Sequence, residues 1–457
     1  MRRMWRILRW GVLILLGVVG ALLLLNAFDE PLAPEATALL QDRSEPLTRQ
    51  QNMYYAAMGF SALVPDMEEA GWNRVQALEA ALRAGKPPLE ADKLAEPPRR
   101  LFVGDKTHFP GYGKTSGDLL DSLDFLREHP QEAANMLADN RVMLERYAAL
   151  DRYPRFFNTA PPTVLMVGDP PWEDISRARR LWKLEIAGLV AGGRLDDAID
   201  RMRRDMHFWR RLLAERRIGL IGKSISASQV GSNLQMASQF VHAYRLTQVQ
   251  LTALNDLAAP LTAEERSMAG PFEDEFRQDQ QMLLAIDDPA AQARFYGNAE
   301  RPRLGLRVTN FVESRFYLPT ATINRTAGIY HRLIEMDGHA CDRFGADELV
   351  SPAQMKLSVG MVRNPVGKTL ADISGPPFRY YTGRMCDLQG FQRLLAVQLL
   401  LREHNVPDDQ VATFVHDAGT EYADPFTGQP MQWQPQQRSL SFGAVNPRDR
   451  DLLPWPL

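Results

Sequence analysis

The residues of this 457-residue chain whose types could do chemistry begin with three Gly-Lys-Ser/Thr triplets, Gly113-Lys114-Thr115, Gly222-Lys223-Ser224 and Gly367-Lys368-Thr369. A phosphate-binding loop needs in addition a glycine five residues before the second one, so that consecutive backbone N–H groups can curl round the phosphates. Those places hold His108, Arg217 and Val362, and no nucleotide is expected to bind. The histidines make no HExxH motif; His331, Glu335, His339 and Cys341 are the one cluster of metal-ligand types, with His331 and Glu335 a helical turn apart. An exposed helix end followed by a half-cystine accounts for that cluster, so neither a metal nor another cofactor is expected. His207, beside Phe208-Trp209, reads as a packing residue. Asp196-Asp197, Glu264-Glu265 and Glu273-Asp274-Glu275 read as first-turn helix residues, where the helix dipole favours negative charge. With no Gly-x-Ser-x-Gly elbow and no Ser-x-x-Lys pair opening a helix, no catalytic residue is assigned.

What positions everything else is a membrane segment. Trp10 to Phe28 carries no charge; Arg2, Arg3, Arg6 and Arg9 precede it, and Asp29 and Glu30 follow at once. At about 1.5 Å rise per residue it reaches roughly 28 Å, close to the hydrocarbon thickness of a bilayer. The arginines put Met1 in the cytoplasm and the bulk of the chain on the far side. A cleaved signal peptide is the competing reading, but Leu25-Asn26-Ala27 is too bulky at its first place and Ala36-Thr37-Ala38 lies too far from the apolar run. The expected organisation is a cytoplasmic stub and transmembrane anchor over residues 1–30, a first helical block with a long Pro/Gly-rich loop over 31–165, a second helical block over 170–300, and a C-terminal helical region over 301–457.

Hydrophobic residues at 45% and charged ones at 24% are ordinary for a folded chain, and a formal net charge of −3 speaks against nucleic-acid binding. Cys341 and Cys386 are the two cysteines, and beyond the membrane a pair tends to be bridged; two separate buried thiols are the other reading.

The fold class that follows is mostly α: an N-terminal transmembrane helix, an irregular ectodomain of αα-hairpins, and a small C-terminal β-hairpin at Met431–Gln434 and Ser439–Phe442. Pro31 to Pro46 suits a stalk or one short helix. Helices are expected from Leu47 to Val64, from Asp66 to Gly85, at Leu119–Glu128 and at Gln131–Tyr153, with a strand at Leu101–Val103 inside the loop from Lys86 to Asp118. LVAGGRLDDAID resembles the turn of a tetratricopeptide-type hairpin, closing two helices about Gly192-Gly193. Helices continue over Ile218–Tyr244 and Gln248–Leu257. Thr262 and Glu265 have the spacing of a capping box opening a helix that carries Phe272, Phe276 and Leu283 on one face. Others are expected at Pro319–Met336 and Pro352–Val359, and the nearly all-apolar stretch from Arg384 to His404 reads as a buried central helix.

Arg363 to Glu403, together with EYADPFTGQPMQWQPQQRSLSF, resembles the C-terminal half of a family of uncharacterised single-pass proteobacterial membrane proteins. Asp424-Pro425-Phe426-Thr427-Gly428 is similar to a segment near the end of pseudopilin-like chains, where aspartate and glycine shape a turn before a short hairpin. The resemblance implies a bacterial inner-membrane location and a helical periplasmic region, and no reaction. The expected function is therefore a membrane-anchored periplasmic scaffold or protein-interaction protein, partnered by the lipid bilayer through residues 10–28 and by other envelope proteins. The alternative is an envelope-associated hydrolase acting on cell-wall polymer or lipid, with the loop from Lys86 to Asp118 lining its cleft.

Overall fold

The computed structural model of the protein describes residues 2–41, 47–85, 101–104, 119–161, 168–287, 315–337, 341, 362–374, 379–445, 450 and 453–457. Helix α1 is Arg2–Leu25; its part Trp5–Leu25 is long and apolar enough to cross a membrane, and none of that span is buried against the rest of the chain. The helix stops at Leu25 rather than Phe28 because Asn26 leaves it. The Asn26 amide donates to the carbonyls of Leu22 and Val362 at 2.9 and 3.0 Å, and its side-chain oxygen accepts the Asn364 N–H at 2.7 Å. After it comes α2 (Pro34–Leu40), with Ala36 and Leu39 buried.

The helix expected from Leu47 forms only as a 3-10 turn and α3 (Met53–Met58), which Gly59 ends. Helix α4 (Met67–Arg83) is capped by the Asp66 carboxylate, which accepts the N–H groups of Glu68 and Glu69 at 3.0 Å. α5 (Leu119–Glu128) forms as expected, whereas the next helix divides into α6 (Pro130–Asp139) and α7 (Arg141–Leu150). Asn140 stands at the division. Its side chain bonds the N–H and carbonyl of Val103 at 2.9 and 2.8 Å, so Leu101–Val103 lies there as extended chain and not as the strand expected. The rest of the loop from Lys86 to Asp118, residues 163–167 of the break expected at 163–171 between the first two helical blocks, and the helix expected at Pro352–Val359 lie outside the described residues.

Helices α8 (Trp172–Ala191) and α9 (Leu195–Ala214) form the hairpin read from the sequence. Gly193 takes φ +73°, and the N–H groups of Gly193 and Arg194 return to the carbonyls of Val190 and Leu189 at 3.0 and 2.8 Å, the double bond of a Schellman turn. α10 (Gly219–Ala243) and α11 (Gln248–Asn255) follow. Thr262 and Glu265 make their capping box on the short α12 (Ala263–Arg266), and the chain restarts as α13 (Ala269–Asp287), burying Phe272, Phe276 and Leu283. α14 (Pro319–Asp337), α15 (Pro365–Ser374), α16 (Arg379–Glu403) and α17 (Val411–Asp417) complete the helices. The expected hairpin belongs to a three-stranded antiparallel sheet, β1 (Gln432–Gln434), β2 (Ser439–Ser441) and β3 (Trp455–Pro456), with β2 in the middle. Before it, the Asp424 carboxylate accepts the N–H groups of Phe426 and Gly443 at 2.8 and 3.0 Å and holds the turn ahead of the sheet.

One continuous core runs from Ala36 through Phe240 to Trp455. α16 lies along α10 at its centre with Leu388, Leu394, Leu395 and Val397 buried, and Phe391 stacks on Trp455 of the sheet at 5.2 Å. Cys386 of α16 is bridged to Cys341, their α-carbons 5.7 Å apart. In the chain-entropy picture, closing a loop of this length contributes about 4 kcal/mol.

Inside the bundle of α7 to α10 sits a buried polar network. Arg179 donates to Asp205 at 2.8 Å and to the side-chain oxygen of Asn233 at 2.8 Å, while Asp205 also accepts the Tyr147 hydroxyl and the Asn233 amide. Trp209 donates to the Tyr147 hydroxyl at 2.7 Å. Because Leu395 is fully buried, Leu395→Ala is expected to cost about 2 to 5 kcal/mol in denaturant unfolding. A loss below about 0.5 kcal/mol, the size of an ordinary surface change, would contradict the central place of α16.

Candidate functional site

Helix α9 has two faces. Ala198, Met202, Asp205, Trp209 and Leu213 point into the bundle, and Asp200, Arg203, Arg204, His207 and Arg211 point out. Along the outer face runs a groove of about 680 Å³ between α9, Asp151 at the end of α7, and the segment from Asp256 to Glu265. That volume lies within the roughly 300–1,000 Å³ of sites that hold ligands. Its walls are fixed by ion pairs: Arg203 with Asp256 at 2.6 Å, Arg211 with Asp151 at 3.0 Å, and Arg210 with both Glu265 oxygens at 2.6 and 2.7 Å. Arg204 and His207 are exposed on the groove and make no hydrogen bond or ion pair with another described residue.

Beside Arg204 opens a smaller pit of about 100 Å³, walled by Tyr147, Trp182 and Phe208 and rimmed by Asp151 and Arg204. Tyr147 and Phe208 meet edge to face at 5.7 Å, and the Arg201 guanidinium lies 4.4 Å from the centre of the Trp182 ring. An aromatic floor next to an uncommitted cation suits an apolar side chain adjoining an anionic group. The sequence alone assigns no role to the arginines of α9, so this site does not emerge from it. Their recurrence at 203, 204, 210 and 211 about His207, one and two helical turns apart, is the signal that marks the stripe.

A second cluster lies where α13 meets the α9–α10 junction. Asp169, Asp274 and Glu275 line a cavity with room for waters of about 40 Å³, beside Asn158, Arg217 and Arg277. Burial pushes Asp169 up to about 7, helped by repulsion from Asp274. Burial also pushes Glu275 to about 7, with repulsion from Asp279, Asp169 and Asp274 adding to it. Asp274 rises to about 6 by burial, although Arg217 and Arg277 stand 2.9 and 2.6 Å away. The first-turn reading of Glu273-Asp274-Glu275 is thereby corrected: α13 begins at Ala269, which puts them on its second turn, and Glu273 and Asp274 answer to Arg216, Arg217 and Arg277 rather than to the helix dipole.

The other residues singled out by the sequence are dispersed. Gly222-Lys223-Ser224 lies inside α10, where the buried Lys223 ammonium donates to the carbonyls of Leu213, Glu264 and Glu265 and so closes the ends of α9 and α12. Its burial lowers it to about 7. Gly367-Lys368-Thr369 lies in α15, and Gly113-Lys114-Thr115 lies outside the described residues. His331 and Glu335 form an exposed pair at 3.5 Å; His339 lies outside the described residues, among which no three ligand types converge. His207 is not a packing residue, because Phe208 and Trp209 turn inward and leave it on the open groove.

The buried titrating groups give stability a definite dependence on pH. Asp169, Asp274 and Glu275 bind protons in the folded state up to about pH 6–7 against 3.8 and 4.5 when free, so stability falls as pH rises across that window. Lys223 acts oppositely: its folded value of about 7 against 10.5 makes stability rise from about pH 7 upward. Asp169→Asn is therefore expected to raise the Tm at pH above about 7 while leaving it unchanged near pH 4, read by thermal melts across pH. An equal shift at both ends would refute the assignment. No protein-family model, curated protein or solved structure matches the chain, so the groove and the carboxylate cavity are read from their own chemistry.

Proposed function

We propose that the protein is a membrane-anchored interaction protein whose helical ectodomain stands on the periplasmic side of a bacterial inner membrane and binds an envelope protein through the groove on α9. The observation that carries this reading is the Arg204 guanidinium, exposed beside the aromatic pit and bonded to no other described residue, with His207 next to it on the groove. The arginines before α1 and the acids after it favour the topology, and the Cys341–Cys386 bridge suits an oxidising space.

The alternative, a hydrolase of cell-wall polymer or lipid, draws on Asp169 and Glu275, which hold a proton near neutral pH as a general acid must. The size of their cavity ranks it second. Room of about 40 Å³ accepts water, not a sugar ring or an acyl chain.

A reporter enzyme active only outside the cytoplasm, fused after Leu457, is expected to be active, and a silent fusion of a stable protein would overturn the topology. For the groove, a photo-crosslinking residue at Ala148, exposed on the rim of the pit, is expected to trap a discrete envelope protein in cells. Arg204→Glu should abolish that adduct without lowering the amount of folded protein; an adduct indifferent to Arg204 would remove the groove from the function.

A further inference from the structure

The end of the anchor is bonded into the ectodomain at every polar step. Asn26 holds the Val362 carbonyl and the Asn364 N–H. The Asp29 carboxylate accepts the N–H groups of Thr320 and Ala321 at 2.7 and 3.0 Å, capping α14 from outside its own chain segment. Glu30 accepts from Asn324 and from Arg363, each at 2.9 Å, and Arg363 also donates to the Phe28 carbonyl at 3.3 Å. α2 then lies along α13 and α14. Residues 26–40 are thus a docked collar and not the free stalk that Pro31 to Pro46 could have formed.

The length of the anchor gives this collar a depth. The spanning part of α1 is Trp5–Leu25, and at about 1.5 Å per residue its 21 residues cover roughly 31 Å, the thickness of the hydrocarbon. Residues 26–30 consequently lie at the hydrocarbon edge, and what is bonded to them lies there too. Phe28 and Leu32, 75% and 40% exposed, are apolar side chains that reach the surface at that level. Polar backbone entering such a layer must be satisfied from within, which Asn26 and Asp29 do for residues 320, 321, 362 and 364. Arg363 and Lys368 stand next to them; burial lowers the Lys368 ammonium, and the nearby Arg325 and Arg363 guanidinium groups lower it further.

We infer that the ectodomain face made by the starts of α14 and α15 is itself seated in the phospholipid headgroup layer of the membrane that α1 crosses, held there by the Asn26, Asp29 and Glu30 collar. The inference rests on the anchored reading of α1. Its partner is the lipid surface: headgroup phosphates for Arg363 and Lys368, and the acyl boundary for Phe28 and Leu32. Gly367 supports the arrangement, since a Cβ there would meet the Thr322 hydroxyl at 1.9 Å and push α15 off α14.

The test uses the full chain in phospholipid nanodiscs with one added, fluorescently labelled cysteine, the native pair being bridged. Labels go at Leu16 in the anchor, Val366 in α15 and Val249 in α11, which the helices α14, α13 and α10 separate from the collar. Leu16 and Val366 labels are expected to be quenched by lipids carrying brominated chains and shielded from aqueous iodide, and the Val249 label to behave oppositely. Asn26→Ala with Asp29→Ala should expose the Val366 label to iodide and leave the Leu16 label quenched by lipid. A Leu16 label open to iodide would overturn the anchor; a quenched Leu16 label with a Val366 label as open as Val249 would overturn the seating alone.

Discussion

The helical body depends on one buried ion pair, Arg179 with Asp205, whose side chains are 3% and 1% exposed. Two charges so far from water are costly unless every remaining donor and acceptor is met. Tyr147 of α7 and Gln229 and Asn233 of α10 meet them, and the Tyr147 hydroxyl is held in turn by the Trp209 N–H of α9. Removing either charge would leave the other uncompensated, at roughly 3 to 5 kcal/mol. Four helices are thereby held to one register, because a slip of any of them would orphan a buried charge. The groove is the outer side of the same arrangement: Asp205 faces inward on α9 so that Arg204 and His207, its sequence neighbours, face out.

The two polar sites divide by volume and by solvent. Where Asp169, Asp274 and Glu275 meet, the walls leave room for water alone, and burial decides their protonation. Along α9 the space is ligand-sized and open, most charges are paired across the walls, and Arg204, bonded to no other described residue, marks where a partner's charge would be met. The Cys341–Cys386 bridge ties the chain just beyond α14 to the central helix α16, so the layer attached to the anchor and the layer that carries the sheet are covalently one piece.

Much of the helical frame was legible in the sequence because it rests on local signals. The glycine turn at 192–193, the Thr262–Glu265 box and the apolar run around Leu395 each act within a turn or two of the chain. What was not legible depends on distant partners. Asn140 splits a helix because Val103 offers it a carbonyl and an N–H; Lys223 is buried because three helix-end carbonyls surround it. The groove was hidden for the same reason: which arginines of α9 are paired depends on Asp151, Asp256 and Glu265, brought in from both sides.

The docked collar has a consequence for how a partner would be met. A free linker of about fifteen residues would let the ectodomain wander by roughly 20 Å around its exit point. On the anchored reading of α1, a body bonded through Asn26, Asp29 and Glu30 turns with that helix, and the groove on α9 keeps one height and one tilt. For a partner confined to the same membrane, recognition becomes an encounter in two dimensions, in which a match of heights raises the effective concentration and a mismatch removes it altogether.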